Sequence, residues 1–134
     1  MISVMLVDDQ PAILRGLEEL IASTGIAKVV AAETDGGAAI ASARTHSPDL
    51  VLLDVSLPEI NGIDIAKKLL ENRKEIRILA VSAHANSIYV RSMLGAGAHG
   101  YMLKDNASSE IKIAMRTVMD GGTWIGDGLS SALE

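Results

Sequence analysis

The sequence contains no cysteine, which excludes disulfide bonds, thiolate metal sites and cysteine nucleophiles. Aromatic residues make up only 2% of the chain, as Tyr89, Tyr101 and Trp124, too few for a surface that stacks nucleic-acid bases. The net charge is −5, so the chain as a whole lacks the basic face that binds duplex DNA. Its apolar runs are too short to cross a bilayer, and no basic segment precedes the apolar N-terminus as in a signal peptide. We therefore expect a cytoplasmic protein without membrane contact.

What the sequence does have is enough apolar material for one folded domain. Its 134 residues are 49% hydrophobic and 22% charged, which excludes a disordered tail and fits a single domain with a core. The character changes only near the end, where Gly121, Gly122, Gly126 and Gly128 follow the last helical pattern. We predict a domain over residues 1–120, followed by a loose tail or the start of a linker over residues 121–134.

Short β-branched runs alternate with helical patterns along the chain. The predicted strands are residues 2–7, 28–32, 50–53, 77–81 and 99–103. Apolar residues between them recur at helical spacing, as in Ile13, Leu17 and Ile21. Strict alternation of near-continuous apolar strands with helices predicts an α/β fold, a doubly wound parallel sheet of five strands with helices on both faces.

Polar side chains follow the ends of four of these predicted strands. In open α/β sheets, sites form outside the carboxyl ends of the strands, so these side chains should meet at one edge. They are Asp8 and Asp9 after the first strand, Asp54 after the third, Ser82 and His84 after the fourth and Lys104 after the fifth. The convergence, more than any single residue, indicates a functional site.

The chemistry of this set points to phosphoryl transfer with a metal ion. Three neighbouring carboxylates repel one another unless a proton or a cation offsets their charge, and oxygen ligands suit Mg²⁺. A lysine beside Mg²⁺ suits a phosphoryl group, and a serine hydroxyl can donate to a phosphoryl oxygen. An aspartate such as Asp54 can attack phosphorus and form an acyl phosphate.

Each residue also has an ordinary structural interpretation. Either of the adjacent aspartates can lead into the helix that begins at Pro11, Asp54 can be a turn residue, and Lys104 can be a solvated loop lysine. Ser82 can bond to backbone at a strand end, and Tyr101 can be a packing residue. These interpretations do not explain why all the residues fall at strand ends on one edge.

The chain resembles the receiver domain of two-component response regulators from Ile2 to about Asp120. The motifs that carry the resemblance are Val7-Asp8-Asp9-Gln10-Pro11, residues 49–58, Asn61-Gly62, residues 81–84, residues 95–101 and Leu103-Lys104-Asp105. Each motif alone is weak, but together, in this order and at these spacings, they are highly specific. The resemblance implies the flavodoxin-like (CheY-like) form of the fold.

The resemblance also implies how the acceptor and the metal are held. Asp54 is implied to be the phosphoacceptor, and Asp8, Asp9, Asp54 and the backbone carbonyl of Ser56 are implied to hold Mg²⁺. The implied donor is a phosphohistidine on a sensor histidine kinase. The chain would then be a signalling phosphoacceptor that assists its own phosphorylation and dephosphorylation, not an enzyme in the usual sense.

Further roles follow from the resemblance for five residues. Lys104 is implied to bind the phosphoryl group, and Ser82 and Tyr101 are implied to be the switch residues. Ser56 and His84 match positions that flank the attacking water, and are implied to tune the phosphoryl lifetime.

Ser82 with His84, residues 100–105 and residues 121–125 are similar to the NarL/FixJ (LuxR-type) transcription regulators. Those proteins continue into a helix-turn-helix domain, so the chain is either an excised receiver or a natural stand-alone receiver, and we favour the first. An excised receiver would regulate transcription and reach DNA only through a domain absent from this chain. The resemblance places the output surface on the fourth helix, fifth strand and fifth helix. Ile88, Val90 and Met93 on that helix either support a homodimer on phosphorylation or are core residues.

Three other protein classes are weaker matches, and one family feature is missing. A phosphohydrolase of the haloacid-dehalogenase type needs an acid where Ser56 stands, and a flavodoxin-like FMN module needs a phosphate loop and aromatics. A receiver-like interaction domain that is never phosphorylated also remains open. Many receivers have a proline, often after a cis peptide, where Asp105 stands, so the geometry at Lys104-Asp105 is open.

Overall fold

The computed structural model describes residues 1–55, 61–83 and 85–129. Its strands are β1 (Ile2–Val7), β2 (Ala27–Glu33), β3 (Leu50–Asp54), β4 (Arg77–Ser82), β5 (Gly100–Leu103) and β6 (Trp124–Ile125). They form one sheet in the order β2-β1-β3-β4-β5-β6, with every neighbouring pair parallel. The five predicted strands and the α/β parallel sheet are confirmed, while the sixth strand was not predicted.

The helices are α1 (Pro11–Thr24), α2 (Gly36–His46), α3 (Gly62–Asn72), α4 (Ser87–Gly95) and α5 (Ala107–Met119), with a short 3₁₀ turn at Lys104–Asn106. Local sequence starts three of them, because the side chains of Asp35, Asn61 and Asn86 accept hydrogen bonds from backbone N–H groups of α2, α3 and α4. Among the described residues, no helix combines the length and the apolarity that spanning a membrane requires.

Two apolar layers lie on opposite faces of the sheet. Val4 and Leu6 of β1 belong to the layer that contains the buried residues of α1 and α5, and Met5 and Val7 belong to the layer that contains those of α2, α3 and α4. This alternation follows from the two-residue period of a strand. The helices therefore cover both faces, as the doubly wound prediction requires.

The fourth helix, α4, carries both buried and exposed apolar residues. Val90 and Met93 are completely buried, whereas Ile88 is 69% exposed. The interpretation of Val90 and Met93 as core residues is therefore correct, and only Ile88 of the three remains available to a partner.

The segment after Asp120 is packed on the domain as far as residue 129. Trp124 N–H donates to the carbonyl of His99 (3.1 Å), and β6 lies parallel to β5. Leu129 is completely buried. Gly100 permits the contact, because a Cβ there would lie 2.9 Å from the Trp124 carbonyl oxygen. Residues 124–129 therefore contact the domain, while the boundary at residue 120 and the assignment of residues 121–134 as a tail or the start of a linker stay predictions.

A histidine beside the start of β4 makes the stability of the fold depend on pH. The backbone N–H of Ile78 donates to the ring nitrogen Nδ1 of His99 (3.0 Å), and the backbone N–H of His99 donates to the Ile78 carbonyl (2.8 Å). Nδ1 must be unprotonated to accept. Burial, and then the charge of Arg77, lowers the pKa of His99 below its usual 6.5. The unfolded chain therefore takes up a proton at a higher pH than the folded one.

We predict that the free energy of unfolding falls as the pH drops below 6.5, and that His99→Asn removes part of this slope. Asparagine keeps an acceptor oxygen near the Ile78 N–H but does not titrate. Urea unfolding of both proteins across this pH range makes the comparison. Equal pH slopes would show that His99 does not control the dependence.

Candidate functional site

Asp8 and Asp9 follow the buried strand β1 and differ in exposure. Asp8 is 2% exposed, and its Oδ1 accepts the N–H of Gln10 (2.9 Å). Its own N–H donates to the carbonyl of Glu33 (3.1 Å) at the end of β2. Asp9 is exposed to solvent. The pair therefore combines one carboxylate fixed by the fold with one that faces solvent.

Asp54 is the last residue of β3 and lies beside this pair. It is 5% exposed. One carboxylate oxygen from each of Asp8, Asp9 and Asp54 can be chosen so that all three lie within 4.8 Å of one another. The strand-end rule therefore places these three residues correctly, and their spacing is short enough for one metal ion to contact all three.

Lys104 provides the positive charge of the cluster. Its Nζ lies 2.8 Å from Oδ2 of Asp8 and 3.7 Å from Oδ2 of Asp54. Burial acts to lower the pKa of Lys104, but the hydrogen bond to Asp8 and the charges of Asp54, Asp8 and Asp9 outweigh it, so the pKa is raised. Lys104 is thus held in its charged form, and the alternative of a solvated loop lysine is wrong.

Ser82 and Tyr101 form a buried polar pair next to the carboxylates. Ser82 ends β4 and is 1% exposed, and Tyr101 of β5 is completely buried. Burial raises the pKa of Tyr101, a hydrogen bond with the Ser82 side chain opposes this, and the charges of Asp54 and Tyr89 raise it further. The Tyr101 ring therefore lies in the interior of the domain.

Gly62 lets the start of α3 approach the end of β3, a role that sequence reasoning missed. Its N–H donates to the carbonyl of Val55 (2.9 Å). A Cβ at Gly62 would lie 2.8 Å from the carbonyl oxygen of Asp54 and 2.8 Å from the Cα of Val55. The Asn61-Gly62 motif was the available signal, but spacing alone does not tell which backbone the glycine meets.

We predict that Gly62→Ala lowers the free energy of unfolding by about 1–3 kcal/mol, because backbone atoms must shift to admit the methyl group. The shift would displace Asp54 and reduce metal binding as well. Gly16→Ala is the matched control, since a Cβ at Gly16 meets nothing within 4 Å and alanine favours a helix interior. Denaturant unfolding of both variants measures the difference, and equal effects would refute the close-approach explanation.

Three remaining sequence expectations concern Ser56, His84 and the Lys104-Asp105 peptide. Ser56 and His84 lie outside the described residues, so their implied roles stay predictions. No cis peptide occurs in the described part of the chain, so the bond between Lys104 and Asp105 is trans. The chain enters the 3₁₀ turn directly from β5.

Residues 4–116 match the family model of the response regulator receiver domain, and the chain therefore belongs to that family. This confirms the resemblance that the motifs indicated, and it identifies the chain as a signalling domain. The phosphohydrolase and FMN-module alternatives are not supported.

The chain is similar to individual response regulators, and one of the solved structures among them is of the LuxR family. It is 32% identical over 133 residues to response regulator GacA of Pseudomonas viridiflava, covering 99% of this chain and 62% of that protein. It is 29% identical to response regulator UvrY of Escherichia coli K12, covering 99% and 61%. A LuxR-family two-component response regulator from Aurantimonas sp. SI85-9A1 superposes with a TM-score of 0.94 at 28% identity, covering 99% and 95%. The chain spans about three fifths of the length of the curated relatives GacA and UvrY.

Proposed function

We propose that Asp54 accepts a phosphoryl group from a phosphohistidine of a sensor histidine kinase, in a site completed by Mg²⁺. The observation that carries the proposal is the position of Asp54, which lies within reach of two further carboxylates and of the Lys104 ammonium. A nucleophile, a metal-binding set and a phosphate-binding cation are thus adjacent at one edge of the sheet.

The donor set fits Mg²⁺. Asp8, Asp9 and Asp54 offer only oxygen atoms, and the exposed Asp9 leaves one side open to the water ligands that Mg²⁺ retains. The backbone carbonyl of Ser56 is the proposed fourth protein ligand. When bound, Mg²⁺ neutralises charge on the phosphoryl oxygens of the transition state. Without a bound ion, the Lys104 ammonium is the positive charge that lies beside the buried carboxylates of Asp8 and Asp54.

The proposed transfer is an in-line substitution at phosphorus. An Oδ atom of Asp54 forms the new P–O bond as the P–N bond to the donor histidine breaks, and the imidazole nitrogen keeps the electron pair. Lys104 stabilises the charge on the transferred group through its ammonium. Hydrolysis later returns Asp54 to its carboxylate form, at a rate that Ser56 and His84 are proposed to set.

The proposed switch begins at Ser82. Its hydroxyl bonds to Tyr101 and lies in the same buried region as Asp54. A serine hydroxyl has one proton, so donating it to a phosphoryl oxygen changes the bond with Tyr101. Phosphorylation then favours the arrangement of β4 and β5 that suits the new bond, by population shift.

The proposed output is regulation of transcription through a helix-turn-helix domain outside this chain, with a homodimer forming on phosphorylation. The relationship to LuxR-family regulators supports the first part, and exposed Ile88 and Tyr89 on α4 support the second. Sedimentation of the unmodified and phosphorylated chain tests the dimer, and a monomer in both states would contradict it.

Phosphorylation itself is tested by intact mass after incubation with acetyl phosphate, with Mg²⁺ or with EDTA. We expect one phosphoryl adduct with Mg²⁺ and none with EDTA. No adduct, or an equal adduct in EDTA, would contradict the proposal and favour an interaction domain that is never phosphorylated.

A further inference from the structure

The segment of residues 124–129, which we call the clasp, is bonded to the strand that carries the switch tyrosine. Gly126 N–H donates to the carbonyl oxygen of Tyr101 itself (2.9 Å), next to the pairing of Tyr101 with Ile125. Leu129 N–H donates to the Gly126 carbonyl (3.1 Å), and the Leu129 side chain lies in the same apolar layer as Tyr101. The clasp therefore contacts the switch through its backbone and shares its core.

A buried carboxylate holds the other side of the clasp. Glu110 of α5 is 8% exposed, and its Oε2 accepts the N–H of Asp127 (3.0 Å). Gly126 lies close to both the Glu110 carboxylate and the Tyr101 carbonyl. A Cβ at this position would lie 2.8 Å from Glu110 Oε1 and 3.2 Å from the Tyr101 carbonyl oxygen. A methyl group at this position would therefore displace the Glu110 carboxylate and weaken the clasp.

One carboxylate oxygen of Glu110 makes the closed clasp less stable than its other contacts suggest. Oε1 of Glu110 is buried without a hydrogen-bond partner among the described residues. A buried carboxylate oxygen without a partner is costly, and opening would return it to water. This gain offsets part of the cost of breaking the contacts that hold the clasp.

We propose that the clasp links the Asp54 site to whatever follows residue 129: it is closed in the unmodified chain and opens when Asp54 is phosphorylated. The link rests on the function proposed above. Donation from Ser82 to a phosphoryl oxygen perturbs the Ser82–Tyr101 bond, and any displacement of Tyr101 moves the carbonyl that holds Gly126. The curated relatives GacA and UvrY are longer than this chain.

The test uses two readouts on the same sample, before and after treatment with acetyl phosphate and Mg²⁺. Intact mass reports phosphorylation. Hydrogen exchange of the Gly126 and Asp127 amides reports the clasp, together with the emission of Trp124, the only tryptophan in the sequence. We expect exchange to accelerate at least about five-fold in the phosphorylated chain, with a red shift of the emission.

The two hypotheses fail differently. A phosphoryl adduct with unchanged or slower exchange would overturn the clasp and leave the proposed function standing. The absence of an adduct would overturn the proposed function, and it would also overturn the proposed link between phosphorylation of Asp54 and the clasp.

Thermodynamic linkage provides an independent test. If phosphorylation opens the clasp, then a mutation that weakens the closed clasp must make the Asp54 site bind a phosphoryl group more tightly. Glu110→Ala should bind beryllofluoride, a phosphoryl analogue, at least about five-fold more tightly than the unmodified protein in the presence of Mg²⁺. Glu110→Gln keeps an acceptor for Asp127, and Glu75→Ala removes an exposed carboxylate elsewhere, so both should bind normally. If Glu110→Ala does not fold, Gly126→Ala replaces it. Unchanged affinity in a folded variant would overturn the proposal.

Discussion

Asp54→Asn is expected to abolish the phosphoryl adduct completely. The amide of asparagine is not a nucleophile toward phosphorus, and it also removes one of the three carboxylates that lie within 4.8 Å of one another. Affinity for Mg²⁺ should therefore fall together with phosphorylation. Intact mass and a Mg²⁺ titration measure the two effects.

The matched control is Asp64→Asn, which makes the same chemical change at an exposed carboxylate near the start of α3. It should accept a phosphoryl group normally. The fold of Asp54→Asn should persist, because Lys104 keeps its closer partner Asp8 at 2.8 Å. Normal adduct formation by a folded Asp54→Asn protein would contradict the assignment of the acceptor.

Lys104→Ala is expected to lower the free energy of unfolding by about 3 kcal/mol in the absence of divalent cations. It leaves Asp8 and Asp54, with side chains 3% and 6% exposed, without their cation. Removing one partner of a buried ion pair typically costs about 3–5 kcal/mol, and the 16% exposure of the Lys104 side chain puts this case at the low end.

Magnesium should recover part of that loss, because a divalent cation can replace the missing charge, whereas Lys104→Arg should lose less because it keeps the charge. Lys112→Ala, at an exposed lysine of α5, should change stability very little. Urea unfolding with Mg²⁺ and with EDTA provides the comparison. A Lys104→Ala protein as stable as the Lys112→Ala control in EDTA would show that Lys104 does not neutralise the site.

Much of the fold could be predicted because the strands are buried on both faces. Such strands have near-continuous apolar runs, and residues 2–7 were predicted with the bounds that β1 has. The positions of Asp8 and Asp54 followed from a rule of topology, since the carboxyl ends of parallel strands meet at one edge. Periodicity and the strand-end rule were therefore enough to predict the sheet and the residues that lie close to Asp54.

The rest depends on contacts between residues distant in sequence. Strand β6 has two residues, too few for a periodic signal, and it forms by pairing with β5 more than twenty residues earlier. Glu110 has the pattern of an ordinary charged residue in a first helical turn, but in the fold it is buried and accepts the N–H of Asp127. The short helix α4 likewise gave no means of separating buried Val90 from exposed Ile88.

The most direct test is to locate the phosphoryl group, because three carboxylates lie close together and each is a chemically competent acceptor. The protein is treated with acetyl phosphate and Mg²⁺, and borohydride then reduces the acyl phosphate to the alcohol, which converts the acceptor aspartate to homoserine. Peptide sequencing by mass spectrometry finds the converted residue. Homoserine at position 54 alone is the predicted result, and conversion at Asp8 or Asp9, or at no residue, would contradict the account.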